Sequence, residues 1–238
     1  MRLENRVALI TGASRGLGLE VARSYADRGA KLVIAARGMD ALELAAAELS
    51  RRTDVMALAV DVSEDAGRLV AAGLDCFGRI DVLVNNASEL GPSPMPPLES
   101  YDWRDLERVL RVNVLAPLHL AQLVLPGMKA RGEGVIINVS SDAGVEAYPG
   151  WGGYGASKAA VEHLTRTLAA ELKDSGIRVY SVDPGDMNTA MHQLAEPGVD
   201  LSGLPGPEQS AAAFVRLVEN ETAVYARIQA QVLTAATA

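Results

Sequence analysis

A tyrosine and a lysine four residues apart, Tyr154 and Lys158, carry the clearest chemical signal in this chain. The run Ser157 to Leu168 is strongly helix-like, and residues four apart share one helix face, so phenol and ammonium can point into the same space. A cation there favours phenolate over phenol and lowers a pKa that is about 10 when unperturbed. Such a tyrosine can exchange a proton with a substrate near neutral pH. Ser141, thirteen residues upstream of Tyr154, follows the apolar run Val135-Ile-Ile-Asn-Val139, which reads as a buried strand. Its hydroxyl could meet the phenol over one substrate oxygen. A lone Tyr-x-x-x-Lys also fits a helix start with a surface lysine. The rest of the chain gives it weight.

The elements that must position these groups start at the amino end. Arg6 to Thr11 is a short apolar strand, and Gly12-Ala-Ser14-Arg15-Gly16-Leu17-Gly18 turns it into a helix running to about Arg28. Glycines there let backbone approach a pyrophosphate, and the helix start supplies N–H donors and the positive end of its dipole. Further strands follow at Lys31–Ala36, Val55–Val60 and Ile80–Val84, with helices at Met39–Arg51 and Ala66–Phe77. Strands alternating with helices at this pitch predict βαβ units, right-handed crossovers and a parallel sheet. In such sheets ligands bind outside the carboxyl ends of the strands, at the switch in strand order. Those ends carry Gly12, Asp61, Asn85-Asn86-Ala87, Ser140-Ser141 and Pro184-Gly185.

The proline-rich run Gly91 to Pro97 reads as a rim loop. Trp103 to Arg131 reads as a long helix disturbed at Asn113 and Pro117, where a kink would free a backbone carbonyl. Ile177 to Val182 is a sixth strand. Residues 186–208, with Met187, Thr189 and His192 ahead of a glycine- and proline-rich stretch, read as a substrate lid. Ser210 to Val218 is helical; residues 221–238 carry no assignment, Ala223 to Val232 fitting either extended or helical backbone.

With 238 residues and neither repeat nor linker, one domain over 1–238 is expected. A formal charge of −8 from 30 acidic and 22 basic residues argues against a nucleic-acid surface, and an acidic carrier protein would need a local basic patch. Cys76 is the only cysteine and is expected as a small core residue. No set of His, Cys and carboxylates has metal-ligand spacing, so no metal is expected. His119 and His163 are expected to be packed or interfacial. Tyr148 and Trp151 are placed on the pocket wall. No stretch is read as reaching membrane-spanning length and the first apolar run is too short for a signal segment, so a cytoplasmic protein without membrane contact is expected.

Taken together, Thr11-Gly-Ala-Ser-Arg-Gly-Leu-Gly18, Asp61-Val62, Asn85-Asn-Ala87, Asn113, Ser141, Tyr154 with Lys158, and Pro184-Gly185 resemble the short-chain dehydrogenase/reductase family, from Arg6 to about Thr189. The resemblance implies an α/β, Rossmann-type doubly wound parallel sheet with helices on both faces. It implies Tyr154 as proton donor or acceptor, Ser141 polarising the substrate oxygen, Lys158 on the nicotinamide ribose, and Asn113 anchoring a water behind it. Gly12, Ser14, Arg15, Gly16, Leu17, Gly18, Arg37, Asp61, Val62, Asn86, Ala87, Pro184, Gly185, Met187 and Thr189, with Tyr154 and Lys158, would hold the cofactor. Two departures stand out. Ser88 replaces a frequent glycine, and the family's Tyr-Ile-Thr-Gly…Asp-Gly-Gly ending is absent, which weakens the case for a tetramer over a dimer built on helices 103–131 and 153–174. An acidic residue closing the second strand would favour NAD(H); Ala36 stands there, followed by Arg37, with Arg15 in the turn, so NADP(H) is expected. The expected activity interconverts a carbonyl and a secondary alcohol, on a 3-oxoacyl thioester or on a general ketone or sugar. A cofactor-sensing protein without turnover is the rival from another class.

Overall fold

The computed structural model describes residues 1–235. Its seven strands are β1 (Val7–Thr11), β2 (Lys31–Ala36), β3 (Val55–Ala59), β4 (Val82–Asn85), β5 (Gly134–Val139), β6 (Ile177–Asp183) and β7 (Tyr225–Gln229). They form one sheet in the order β3-β2-β1-β4-β5-β6-β7, and every neighbouring pair is parallel. The order reverses between β1 and β4, so the crevice lies where the sequence placed its glycines and asparagines.

Helices α1 (Gly16–Ala26), α2 (Met39–Leu49), α3 (Val62–Phe77), α4 (Trp103–Leu110), α5 (Ala116–Arg131), α6 (Gly152–Glu171), α7 (Ala190–Ala195), α8 (Pro207–Glu219) and α9 (Ala230–Ala235) complete the described chain. Both sheet faces are covered, which is why β1 and β4 read as continuous apolar runs rather than alternating ones. Ala8 and Ile10 meet Val21 and Tyr25 of α1 and Phe214 of α8 on one face. Val7 and Leu9 meet Leu69 of α3 and Leu120 and Val124 of α5 on the other.

The expected helix 103–131 is interrupted by a π-turn at Arg111–Leu115, closed by a bond from the Ala116 N–H to Arg111 O. Pro117 has no N–H for the carbonyl four residues back, that of Asn113, so the helix widens where the buried Asn113 side chain turns inward. By length and composition, Trp103–Arg131 does reach membrane-spanning dimensions, which corrects the expectation for the sequence. Its apolar residues are occupied otherwise, with Leu120, Val124 and Met128 buried against the sheet.

Cys76 is exposed rather than core, because the buried stripe of α3, through Val62, Ala66, Leu69 and Gly73, has run out by the last turn. The unassigned carboxyl-terminal stretch is extended first and helical after. Tyr-Ala-Arg-Ile-Gln is too short and polar to announce a strand, and its pairing with β6, from Val179↔Tyr225 to Asp183↔Gln229, is what makes it one. Residues 236–238 of that stretch lie outside the described residues.

Candidate active site

The turn after β1 is fixed by its neighbour β4. Thr11 Oγ1 accepts the N–H groups of Asn86 and Ala87, each at 3.0 Å. Asn86 Nδ2 donates back to Thr11 O at 2.9 Å and Gly12 O at 3.1 Å. Gly12 has φ +66°, and a Cβ there would come within 2.8 Å of Asn86 Nδ2, so only glycine fits this stitch. Helix α1 then starts at Gly16 with no side-chain cap from Arg15. Its first N–H groups are left for an anion.

A cleft of about 840 Å³ runs along the carboxyl ends of the strands. Ser14, Arg15, Gly16, Leu17, Ala36 and Arg37 line one end, with Asp61 and Val62 beside them. Asp61 Oδ1 is already engaged, accepting from Ser63 N at 2.9 Å and Ser63 Oγ at 2.7 Å to cap α3. Arg37 reaches Glu89 at 3.3 Å across the mouth, and its own side chain is 64% exposed. Uncapped helix, close backbone and two arginines fit the phosphates of a dinucleotide.

Ser141, Tyr154, Lys158, Pro184, Gly185, Met187 and Thr189 line the remaining length, with Asn86 and Ala87 between the ends. The turn carrying Ser141 presses directly on α6. A Cβ on Gly155 would lie 2.6 Å from Ala143 O, and one on Gly144 would lie 2.9 Å from Lys158 C. This close approach sets Ser141 beside the Tyr154–Lys158 face. Thr189 caps α7 by accepting the His192 N–H at 3.2 Å.

Gly18 and Asn113 stand behind the wall. A Cβ on Gly18 would overlap the Gly12 carbonyl, so this glycine seats α1 against the turn. Asn113 accepts from Glu89 N at 2.7 Å and Ser88 Oγ at 3.2 Å, and donates to Glu89 O at 2.8 Å and Ser157 Oγ at 2.9 Å. Its amide thus ties the strand β4 exit to α6.

The electrostatics differ from the sequence expectation. Burial pushes the Tyr154 phenol well above its usual range; hydrogen bonding with Ser88 opposes this, and the Asp142 and Asp183 carboxylates reinforce it. Lys158 Nζ lies 5.3 Å from the centroid of the tyrosine ring and donates to Val139 O at 2.8 Å. Burial lowers that lysine to about 8. The ammonium faces the ring and a carbonyl, so its presence alone does not bring the phenol down.

Several site residues escaped the sequence reading. Ser141 Oγ donates to Asp142 Oδ1 at 2.8 Å, and Tyr148 donates to Asp142 Oδ2 at 2.9 Å. Burial would raise Asp142, but the hydrogen bonds from Ser141, Tyr148 and Ala143 N–H outweigh it and hold the carboxyl below its ordinary value. Arg227 of β7 donates through Nε to the buried Glu162 at 2.9 Å, and through Nη2 to Asp183 and to Ser141 O, both at 3.4 Å. Glu162 in turn accepts from Ser140 Oγ at 2.6 Å. Adjacency to Ser141 was a signal for Asp142; nothing local marked Arg227. Trp151 lines the cleft, packed edge-on to Tyr154 and Tyr148 at 5.9 and 6.3 Å. His192 also lines it, but its ring faces Met187 O at 3.1 Å and Glu196 at 3.5 Å. His119 and His163 sit on exposed helix faces. No group of His, Cys, Asp and Glu among the described residues could hold a metal.

Residues 6–199 match the family model described as short chain dehydrogenase. Over 233 residues the chain is 34% identical to the 3-oxoacyl-[acyl-carrier-protein] reductase FabG of Thermotoga maritima, covering 93% of this chain and 94% of the relative. It is 33% identical over 235 residues to a 7alpha-hydroxysteroid dehydrogenase of Bacteroides fragilis, covering 94% and 91%. Among solved structures it resembles a metagenomic short-chain oxidoreductase in complex with NADP, with TM-score 0.81, 28% identity and coverage of 96% and 99%.

Proposed function

The chain belongs to the short-chain dehydrogenase/reductase family, and within it we propose an NADP(H)-dependent enzyme that interconverts a carbonyl and a secondary alcohol. The observation that carries this reading is one cleft with Ser141, Tyr154 and Lys158 on its wall at one end and an uncapped helix start with Arg15 and Arg37 at the other.

Arg15 and Arg37 bind the 2′-phosphate, as planar guanidiniums charged at every relevant pH. Ala36, without acceptor or charge, leaves the adenosine ribose without the carboxylate an NAD(H) site would offer. The turn from Gly12 to Leu17 cradles the pyrophosphate, and Asp61, Val62, Asn86, Ala87, Pro184, Gly185, Met187 and Thr189 complete the cradle. NADPH, when bound, supplies the hydride for the carbonyl carbon. Tyr154 Oη holds the proton that neutralises the oxygen as negative charge develops on it. A phenol pushed up by burial keeps that proton at neutral pH, which suits donation. Ser141 Oγ orients and polarises the same oxygen, its single hydrogen turning from Asp142 Oδ1 to the bound substrate in a partly dry site. Lys158 holds the nicotinamide ribose, and the Asn113 carbonyl, which Pro117 cannot bond, anchors a water behind it.

The reading extends to one cytoplasmic domain with a lid over 186–208 and to a homodimer. Supporting the dimer, Trp103 and Leu115 are 64% and 56% exposed beside a groove of about 690 Å³ along α4. Light scattering tests it, a monomeric mass counting against it.

The direct test is NADPH absorbance loss over a broad carbonyl panel, with Tyr154→Phe alongside. Deleting the exchangeable proton should cost roughly 10²–10⁴-fold in kcat, with NADPH affinity within a few-fold of wild type. A phenylalanine variant at half the wild-type rate would overturn the assignment.

A further inference from the structure

The substrate end of the cleft carries a carboxylate that the reaction itself does not need. Asp142 follows directly on Ser141, lines the cleft, and takes the Ser141 hydroxyl at 2.8 Å. Its Oδ1 also accepts the Ala143 N–H at 2.7 Å, which fills that oxygen. Among the described residues its Oδ2 accepts only Tyr148 Oη, at 2.9 Å, from a tyrosine that is 44% exposed and can swing away. A carboxylate oxygen has two lone pairs, so one acceptor position on Oδ2 is left for a donor in the cleft.

The charge around it is one-sided. Arg15 and Arg37 stand at the turn and the β2 exit, at the cofactor end. At the substrate end Asp186 is a second lining carboxylate, and Asp183 is matched by Arg227. The lining cation there is Lys158, buried, with its ammonium on Val139 O. No arginine lines this end among the described residues. A carboxylate, sulfonate or phosphate close to the reacting carbon would face the like charge of Asp142 and Asp186, while the cations nearby are already engaged, Lys158 on Val139 O and Arg227 on Glu162 and Asp183, which is costly in a partly dry site. Trp151 and Leu194 add apolar wall.

We propose that Asp142 is a specificity-determining residue that selects neutral carbonyl substrates bearing a hydroxyl group one or two carbons from the reacting carbon, and rejects anionic ones. The substrate hydroxyl donates to Asp142 Oδ2 while its carbonyl oxygen lies between Ser141 and Tyr154. This rests on the carbonyl reductase reading above and narrows it, placing hydroxylated ketones ahead of acyl groups delivered with anionic carriers. A half-buried acceptor of this kind favours the hydroxyl-bearing substrate, because the analogue lacking it leaves the acceptor unpaired once the cleft is filled.

Three matched ketones test it, with kcat/KM measured for each using NADPH: 2-butanone, 1-hydroxy-2-butanone and 2-oxobutyrate. Wild type should prefer the hydroxylated ketone to 2-butanone by about tenfold or more, the size of one hydrogen bond to a charged acceptor. The keto acid should fall below 2-butanone. Asp142→Ala should bring the first ratio to within about twofold of unity. Asp142→Asn, nearly the same in size, should raise the keto acid relative to 2-butanone by about tenfold. Ratios cancel any common change in Tyr154 acidity or in folded fraction. Unchanged ratios in both variants, or no wild-type preference for the hydroxylated ketone, would overturn the inference. So would turnover on a broad panel but on none of these three. No turnover on any carbonyl would instead overturn the functional reading itself.

Discussion

The cleft has two ends built in different ways. The cofactor end is made by consecutive residues, Gly12 to Gly18, seated by strand β4 next door through Thr11 and Asn86. Its two arginines are exposed and tied to little else. The substrate end is made by residues far apart in sequence, and its arginine is structural. Arg227 joins Glu162 on α6, 65 positions away, to the Ser141 carbonyl, 86 positions away. Charge at the first end waits for a ligand, whereas charge at the second is spent on holding the site together. Arginines at the two ends should therefore fail differently when removed.

The largest effect expected is at Arg227. Arg227→Met leaves Glu162 and Asp183, whose side chains are 6% and 5% exposed, without their cation. Breaking a buried pair in this way costs about 3–5 kcal/mol. Urea unfolding should show that loss, with Arg227→Lys recovering part of it, while KM for NADPH in the folded fraction holds. A variant as stable as wild type would make Arg227 a surface charge and erase the contrast.

Next is Lys158, whose folded value of about 8 lies below the 10.5 of the free side chain. Between those values the unfolded chain binds the proton and the folded chain does not, so stability rises with pH across this window. The full rise is roughly 3 kcal/mol for a shift of that size. Denaturation at pH 7.5 and 9.5 should detect a good part of it in wild type and not in Lys158→Met. An identical rise in the variant would assign it elsewhere.

At the cofactor end the effects should appear in binding and not in stability. On the proposed NADP(H) reading, Arg37→Ala would remove one charge-assisted contact to the 2′-phosphate, about 1.5–3 kcal/mol, hence a ten- to hundredfold weaker NADPH with NADH little changed. Its melting temperature should match wild type. An unaltered NADPH to NADH ratio would refute the NADP(H) assignment.

The smallest effect sharpens the same point. On the proposed NADP(H) reading, Glu89 would compete with the phosphate for Arg37, as an exposed pair worth about 0.2–1 kcal/mol. Glu89→Gln should tighten NADPH by a few-fold at low salt and lose that advantage in high salt. Weaker NADPH binding would mean that Glu89 orders Arg37 rather than occupying it.

What the sequence by itself determined about this protein is local or periodic. Strand–helix alternation set the parallel sheet, because a buried face needs apolar residues wherever the chain goes. Gly12, the helix start at Gly16, and the Tyr154–Lys158 spacing set their parts because backbone conformation and one helix face depend on near neighbours. Pro117 marked the disturbance at Asn113 for the same reason. Tertiary structure alone decided the rest. β7 is a strand because β6 offers it an edge, and Arg227 matters because two carboxylates from other elements are buried beside it. The Tyr154 phenol is pushed up because burial opposes charge, and burial is a sum over neighbours that no spacing along the chain records.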